Sequence, residues 1–174
     1  SRVPAVLSIA GSDSSGGAGI QADIKTITAH RLYAETAITA ITAQNTLGVT
    51  AVQNISPDIV AAQIDAVFDD IRPSAVKIGM VSSAEIIEVI AERLSAWDAT
   101  NVVVDPVMVA TSGARLIAED ASEALTRRLF PLATVITPNI PEAMALLDYE
   151  VDSERTQQNA AMLLTRRFGC AALV

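Results

Sequence analysis

Cysteine and histidine are nearly absent from this sequence of 174 residues, which contains one of each, Cys170 and His30. A single cysteine excludes an intramolecular disulfide and is typical of a reducing compartment, so we expect a cytoplasmic protein. With no second histidine or cysteine, the sequence offers no zinc site and no nucleophilic triad. We expect Cys170 to be a buried structural thiol and His30 to end a helix at the surface.

Positive charge is also scarce, because Lys25 and Lys77 are the only lysines and the net charge is −8. Two arginine pairs, Arg127/Arg128 and Arg166/Arg167, fall near the ends of predicted helices, where they complement the helix dipole. A general nucleic-acid binder needs a basic surface, so we expect no nucleic-acid partner.

Long apolar runs are missing as well. No stretch approaches the roughly 18–20 consecutive apolar residues of a membrane span, and the apolar part of Ser1–Ile9 is too short for a signal peptide. We therefore expect no membrane partner. Aromatic residues make up only 3% of the chain, so its apolar mass is Ala, Ile, Val and Leu, which favours buried parallel strands and helices.

Strand-length apolar runs alternate with helical patterns along the chain. The runs are Val6–Ile9, Thr36–Ala43, Val76–Met80, Val102–Val104, Thr134–Thr137 and Ala171–Val174. Most lack polar alternation, as expected of strands covered on both faces. This order predicts one α/β domain over residues 1–174, with a mainly parallel sheet flanked by helices. A small β excursion is expected within Thr46–Ile55.

The end of the chain resembles an interrupted domain. Phe168-Gly169 is typical of a helix stop, and the strand predicted after it ends on apolar residues. We expect the native polypeptide to continue past Val174, so that this chain is a C-terminally truncated domain.

The segment Gly11–Gly19 is rich in glycine and serine and joins the first strand to the first helix. Glycine lets a ligand approach the backbone, and free N–H groups at a helix start favour anions or polar atoms. We expect a binding loop at the carboxyl edge of the sheet, the alternative being a flexible turn. A dinucleotide fingerprint fits Gly17–Ala22 only loosely, since no acid for a ribose hydroxyl ends the second strand, which disfavours a nicotinamide-dependent dehydrogenase.

Other polar residues also follow predicted strands, which places them at the same edge. Gln44 could pair with the edge of a heterocycle, or could belong to a turn. Asp105 could orient a cation, or could cap a turn. Asn139 and Glu142 have the spacing of a capping box, which is compatible with a magnesium-binding acid beside phosphates.

Five segments together carry a resemblance to one family. They are residues 10–23, Ile41–Thr46, Lys77–Met80, Val104–Met108 and Ile136–Ala143. In this order they resemble the hydroxymethylpyrimidine and phosphomethylpyrimidine kinases, a family of the ribokinase-like superfamily. The resemblance implies phosphorylation, with ATP and Mg²⁺, of 4-amino-5-hydroxymethyl-2-methylpyrimidine and then of its monophosphate, in thiamine biosynthesis. It also implies a homodimer.

The resemblance assigns roles to individual positions. Gln44 matches the amide that recognises the pyrimidine, and the other positions of the substrate pocket are Gly11, Asp23, Met80 and Val107. Cofactor-binding positions are Asp105 and Asn139, and Glu142 is the metal position. The family's Lys-Gly-Gly segment and its activating residue would lie downstream of Val174, so we expect the 174 residues alone not to transfer phosphate.

Two alternatives stay open at this point. A pyridoxal or pyridoxine kinase would share this fold and loop, although Gln44 favours an aminopyrimidine. A truncated, non-catalytic remnant that binds pyrimidine or dimerises is the other.

Overall fold

The computed structural model describes residues 3–108 and 117–174. The strands are β1 (Ala5–Ala10), β2 (Tyr33–Ile38), β3 (Ala40–Asn45), β4 (Gly48–Asn54), β5 (Ala75–Ile78), β6 (Val102–Val104), β7 (Val135–Ile136) and β8 (Ala171–Ala172). The helices are α1 (Gly19–Ala29), α2 (Pro57–Asp70), α3 (Ala84–Ala96), α4 (Glu119–Ala124), α5 (Ile140–Leu147) and α6 (Glu154–Phe168). A π-helical turn at Leu125–Leu129 and a 3₁₀ turn at Phe130–Leu132 extend α4.

Six strands form one sheet in the order β2-β1-β5-β6-β7-β8, and every pairing in it is parallel. The predicted α/β class with a mainly parallel sheet is therefore confirmed. From β1 the chain moves to β2 in one direction across the sheet, and all later connections move in the other direction. Because connections between parallel strands are right-handed, α1 lies on the face of the sheet opposite the other helices.

The core lies between the sheet and the layer that contains α2 and α3. Leu7, Ile9, Ile78, Val104 and Ile136 from the sheet are fully buried, and Val60, Ile64, Ile87 and Ile90 cover them from the two helices. Burial of each such side chain contributes about 1.5–3 kcal/mol. The strands thus present a rigid edge to the segments that follow them.

The prediction of one strand over Thr36–Ala43 is wrong, because the run divides at Thr39 into β2 and β3. The Thr39 amide donates to the Ala10 carbonyl oxygen and the Thr39 carbonyl accepts from the Ile55 amide. The chain therefore leaves the sheet and forms a separate antiparallel hairpin of β3 and β4. The β excursion expected within Thr46–Ile55 is confirmed as β4.

Three local predictions, for the end of α6, for Cys170 and for His30, are confirmed. Helix α6 ends at Phe168, and Gly169 caps it with φ of 71°, a left-handed conformation that favours glycine. Cys170 is buried, as expected, and His30 is the exposed C-cap of α1. Within the described ranges, none of the helices combines the length and apolarity that crossing a bilayer requires.

Candidate active site

Segments that follow four strands meet at the carboxyl edge of the sheet. The Gly79 amide donates to the Ile9 carbonyl oxygen at 2.9 Å, and the Asp105 amide donates to the Ile78 carbonyl oxygen at 2.9 Å. The Thr137 amide continues this ladder to the Val104 carbonyl oxygen at 3.0 Å. The residues after β1, β5, β6 and β7 are thus neighbours, as the sequence predicted for a ligand site.

The glycine loop, defined as Gly11–Gly19, folds around its own carboxylate. The Asp13 carboxylate accepts the Ser15 amide at 2.9 Å, the Ser15 hydroxyl at 2.8 Å, and the Gly17 and Ala18 amides at 3.0 and 2.8 Å. The prediction that N–H groups at the start of α1 are free for a ligand anion is therefore wrong for Gly17 and Ala18. Asp13 supplies that anion from within the loop.

Hydrogen bonding sets the ionisation of Asp13. The Ser15 hydroxyl has the largest effect and lowers the pKa of Asp13. Burial, the next largest effect, opposes this, and the backbone amides of Ser15, Ala18 and Gly17 lower the pKa further. The residue is 2% exposed.

Glycine is required at Gly19 but not at Gly11. Gly19 has φ of 57°, and a Cβ there would lie 2.4 Å from the Gly11 carbonyl oxygen, which accepts the Ile20 amide. A Cβ at Gly11 would meet Ala40 only at ordinary contact distance, 3.7 Å or more. Gly11 therefore contributes its carbonyl to the start of α1, and its place in a substrate pocket stays a prediction.

The hairpin, rather than a strand of the main sheet, brings Gln44 to the glycine loop. The Ser12 amide donates to the Ala40 carbonyl oxygen at 2.8 Å, and the Thr42 hydroxyl donates to the Ser12 carbonyl oxygen at 2.5 Å. Ser14 then contacts the backbone of Gln44. Gln44 therefore lies beside the glycine loop, as expected. The prediction that it ends a strand of the main sheet is wrong, because it belongs to the hairpin.

Asp23 lies in a polar cluster beneath this edge. The Ser8 hydroxyl donates to Asp23 Oδ2 at 2.6 Å, and Lys77 Nζ contacts Oδ2 at 2.9 Å and Oδ1 at 3.0 Å. The family resemblance implied a pocket position for Asp23 but no role for Ser8 or Lys77. The available signal was a charged residue inside the apolar run of β5, which needs a partner when it is half-buried.

Gly79 makes room for this cluster. A methyl group at Gly79 would lie 3.0 Å from Lys77 Nζ and 3.0 Å from the Ala10 Cβ. Met80 and Val107, the two apolar pocket positions predicted from sequence, are half-buried directly after Gly79 and Pro106. They follow adjacent strands, as predicted.

Asn139 and Glu142 form the capping box that their spacing predicted. The Asn139 side chain accepts the Glu142 amide at 2.9 Å, and Glu142 Oε2 accepts the Asn139 amide at 2.9 Å. Glu142 Oε1 also accepts the Met108 amide at 3.3 Å, which ties α5 to the segment after β6. The Asp105 carboxyl lies near enough to Glu142 to interact with it electrostatically.

Burial dominates the ionisation of both acids. It raises the pKa of Asp105, with Lys77 opposing the rise and Asp23 adding to it. Burial likewise raises the pKa of Glu142; amides of Asn139 and Met108 oppose the rise, and Asp105 adds to it. A buried carboxyl and a half-buried carboxyl that repel each other favour a bound cation.

The carboxylates at this edge fit Mg²⁺ only when water and substrate phosphates supply the remaining ligands. Among residues 3–108 and 117–174, no three His, Cys, Asp or Glu side chains form a metal cage. Mg²⁺ commonly uses one or two carboxylates and completes its shell with water and substrate phosphates. Asp105 and Glu142 fit that mode.

A recess of about 480 Å³ between α2 and α3, lined by Asp65, Ala66, Asp69, Arg93, Ala96 and Trp97, contains none of the predicted site residues.

Comparison with solved structures defines the class of protein first. A phosphomethylpyrimidine kinase from Clostridium difficile superimposes with a TM-score of 0.90 at 50% identity, covering 94% of this chain and 71% of that one. A Staphylococcus aureus pyridoxal kinase in complex with AMP-PCP superimposes with a TM-score of 0.83 at 35% identity, covering 96% and 60%. The fold is that of the ribokinase-like kinases.

Comparison of sequences then gives the family. Residues 13–174 match the family model described as phosphomethylpyrimidine kinase. The chain is 54% identical over 162 residues to a hydroxymethylpyrimidine/phosphomethylpyrimidine kinase of Rhizobium meliloti, covering 91% of this chain and 60% of that protein. It is 49% identical to that of Salmonella typhimurium, with 97% and 63% covered, so it spans under two thirds of either relative. The chain belongs to the phosphomethylpyrimidine kinase family.

Proposed function

We propose that the polypeptide containing this chain transfers phosphate from ATP to 4-amino-5-hydroxymethyl-2-methylpyrimidine and then to the resulting monophosphate, in thiamine biosynthesis. The observation that carries the proposal is the match of residues 13–174 to the family. The positions that resemble the family's site come from five segments of the chain. Four of these segments follow strands at one edge of the main sheet, and the hairpin brings Gln44 to the glycine loop, which supports the same function.

The heterocycle side of the site is formed by Gln44, Asp23, Met80 and Val107, with Gly11 at the loop. The Gln44 amide carries both a donor and an acceptor, which matches the edge of an aminopyrimidine. Met80 and Val107, half-buried, offer apolar surface to a flat ring.

The phosphate side is formed by Asp105, Asn139 and Glu142. A bound Mg²⁺ would neutralise charge on the ATP phosphates, and Asp105 and Glu142 are the groups that would hold it. Asn139, exposed at the start of α5, would orient the nucleotide beside the helix N-terminus.

A pyridoxal kinase activity is the second candidate. It is favoured by the match to a Staphylococcus aureus pyridoxal kinase in complex with AMP-PCP and pyridoxal, at 34% identity and a TM-score of 0.82. The ratio of kcat/KM for the aminopyrimidine and for pyridoxal separates the two, and a ratio below one would reverse our assignment. The third candidate, a non-catalytic pyrimidine-binding or dimerising remnant, requires that the polypeptide form no ADP with either substrate.

We also propose that the protein is a cytoplasmic homodimer. The hairpin exposes four apolar side chains, Ile41, Leu47, Val49 and Val52, which are between 47% and 94% exposed. A second copy would remove this apolar surface from water. Sedimentation should show a dimer for the wild type and a monomer for Val52→Lys, and a monomeric wild type would contradict the proposal.

Substitution of Gln44 tests the heterocycle assignment. In the whole polypeptide, Gln44→Leu should weaken binding of the hydroxymethylpyrimidine by roughly 1–3 kcal/mol, because ring polar atoms lose their partner. Gln53→Leu, on the exposed strand β4 of the same hairpin, is the matched control. Calorimetry that gave equal affinities for the two variants would refute the assignment.

A further inference from the structure

A β-bulge alters the pairing of the hairpin at Gln44. Ala43 pairs with Ala51 and Gln44 pairs with Val49, so Thr50 is an extra residue on β4. The Thr50 hydroxyl donates to the Ala43 carbonyl oxygen at 3.1 Å. A bulge interrupts the ladder and re-aims the neighbouring side chain, which leaves the backbone near Gln44 in need of other partners.

Ser14 of the glycine loop supplies those partners with one hydroxyl. Its Oγ donates to the Gln44 carbonyl oxygen at 2.6 Å and accepts the Gln44 amide at 2.8 Å. The two residues are 30 positions apart in the chain. A single side chain thus fixes both backbone groups of the residue that carries the recognition amide.

Hydrogen bonds of the residues on both sides of Ser14 fix its position in the loop. On one side, Ser12 is bonded to Ala40 and Thr42 of the hairpin. On the other side, Asp13 accepts the Ser15 amide, and its carbonyl accepts the Gly16 amide at 3.0 Å. The hydroxyl therefore belongs to a segment anchored at both ends, although Ser14 itself is exposed.

We propose that Ser14 is a positioning residue that fixes the orientation of Gln44 and so determines how tightly the pyrimidine is bound. The proposal rests on the heterocycle-binding role proposed for Gln44. It gives the glycine loop a function that does not require a bound anion: Asp13 closes the loop from inside, and the closed loop presents Ser14 to the hairpin.

Amide hydrogen exchange tests the positioning without reference to activity. In the whole polypeptide, Ser14→Ala should accelerate exchange of the Gln44 amide at least about tenfold, because its acceptor is lost. Ser14→Thr keeps the hydroxyl and should restore protection. Ser15→Ala removes a hydroxyl that contacts Asp13 rather than Gln44, and it should leave Gln44 exchange unchanged. Unchanged exchange in Ser14→Ala would overturn the proposal.

Binding measurements test the consequence. Ser14→Ala should raise the Kd for the hydroxymethylpyrimidine about three- to tenfold and leave the KM for ATP unchanged, because only the heterocycle side loses its orientation. In a Gln44→Leu background, Ser14→Ala should add less than about a twofold effect, since residues that act through one contact are not additive. Effects that multiply fully, or an equal rise in the KM for ATP, would contradict positioning through Gln44.

The two proposals fail in different ways. If the wild type binds no aminopyrimidine while Gln44 exchange still responds to Ser14→Ala, the proposed function is wrong and the contact stands. If the wild type binds the aminopyrimidine and Ser14→Ala changes exchange but not the Kd, the positioning role is wrong and the function stands.

Discussion

At the scale of single residues, the site depends on carboxylates that find their hydrogen-bond partners in two ways. Asp13 is satisfied by its own loop, whereas Asp23 is held by Ser8 of β1 and Lys77 of β5. The Asp13 carboxylate thus stabilises the backbone of its loop, and the Asp23 carboxylate connects α1 to β1 and β5. Loss of either carboxylate should therefore lower the free energy of unfolding as well as the affinity for ligand.

Acid should weaken the contribution of Asp13 to the free energy of unfolding. Its pKa is lowered in the fold, so the ionised form stabilises the protein above the unfolded value of about 3.9, and this stabilisation is lost as pH falls through the folded value. Asp13→Asn should be less stable than the wild type at pH 7, and the difference should shrink as the pH falls below 4. Urea unfolding at both pH values measures this; the exposed Asp69→Asn is the control, and a difference independent of pH would contradict it.

Removal of the Lys77 ammonium should cost more than removal of the other lysine. Lys77→Met leaves the Asp23 carboxylate, 18% exposed, with Ser8 alone, and we expect a loss of roughly 1–3 kcal/mol in the free energy of unfolding. Lys25→Met removes an exposed contact with the Gly16 carbonyl and should cost about 0.5 kcal/mol or less. Equal losses in chemical unfolding would show that the Lys77–Asp23 pair is not a stabilising contact.

At the scale of elements, sequence predicted what is encoded within a few residues. The capping box at Asn139 and the glycine stop at Gly169 follow from spacing alone, and the structure has both. Thr36–Ala43 carries no glycine or proline, so nothing local marks the division at Thr39. The pairs Ser14–Gln44 and Asp23–Lys77 lie 30 and 54 positions apart, and only the folded sheet brings them together.

Helix α5 allows capping and cofactor binding to be separated at Asn139. Asn139→Ala should reduce stability by about 0.5–2 kcal/mol through loss of the cap. Asn139→Asp keeps a capping oxygen and should restore most of that stability. If the amide also orients ATP, the KM for ATP should stay raised in Asn139→Asp; a KM that recovers together with stability would reduce Asn139 to a cap.

At the scale of the whole molecule, the charges at the site define which ligands residues 1–174 can bind. Asp23, Asp105 and Glu142 contribute three carboxyls, whereas Lys77 contributes one ammonium that is already paired with Asp23. Phosphoryl transfer requires that developing negative charge be neutralised and the reactants aligned. The site as described supplies groups for a heterocycle and for a cation, but a triphosphate would need further positive charge.

We therefore expect binding and transfer to separate when residues 1–174 are tested by themselves. Calorimetry should detect the hydroxymethylpyrimidine on this chain, because Gln44 and the glycine loop are held by contacts within it. The same chain with ATP and Mg²⁺ should form no ADP above background, because Lys77 is already paired with Asp23 and transfer needs further positive charge than the described site residues supply. The matched control is Gln44→Leu in the same chain, which should lose the calorimetric signal. Turnover by residues 1–174 would show that the carboxylates and one bound cation are sufficient.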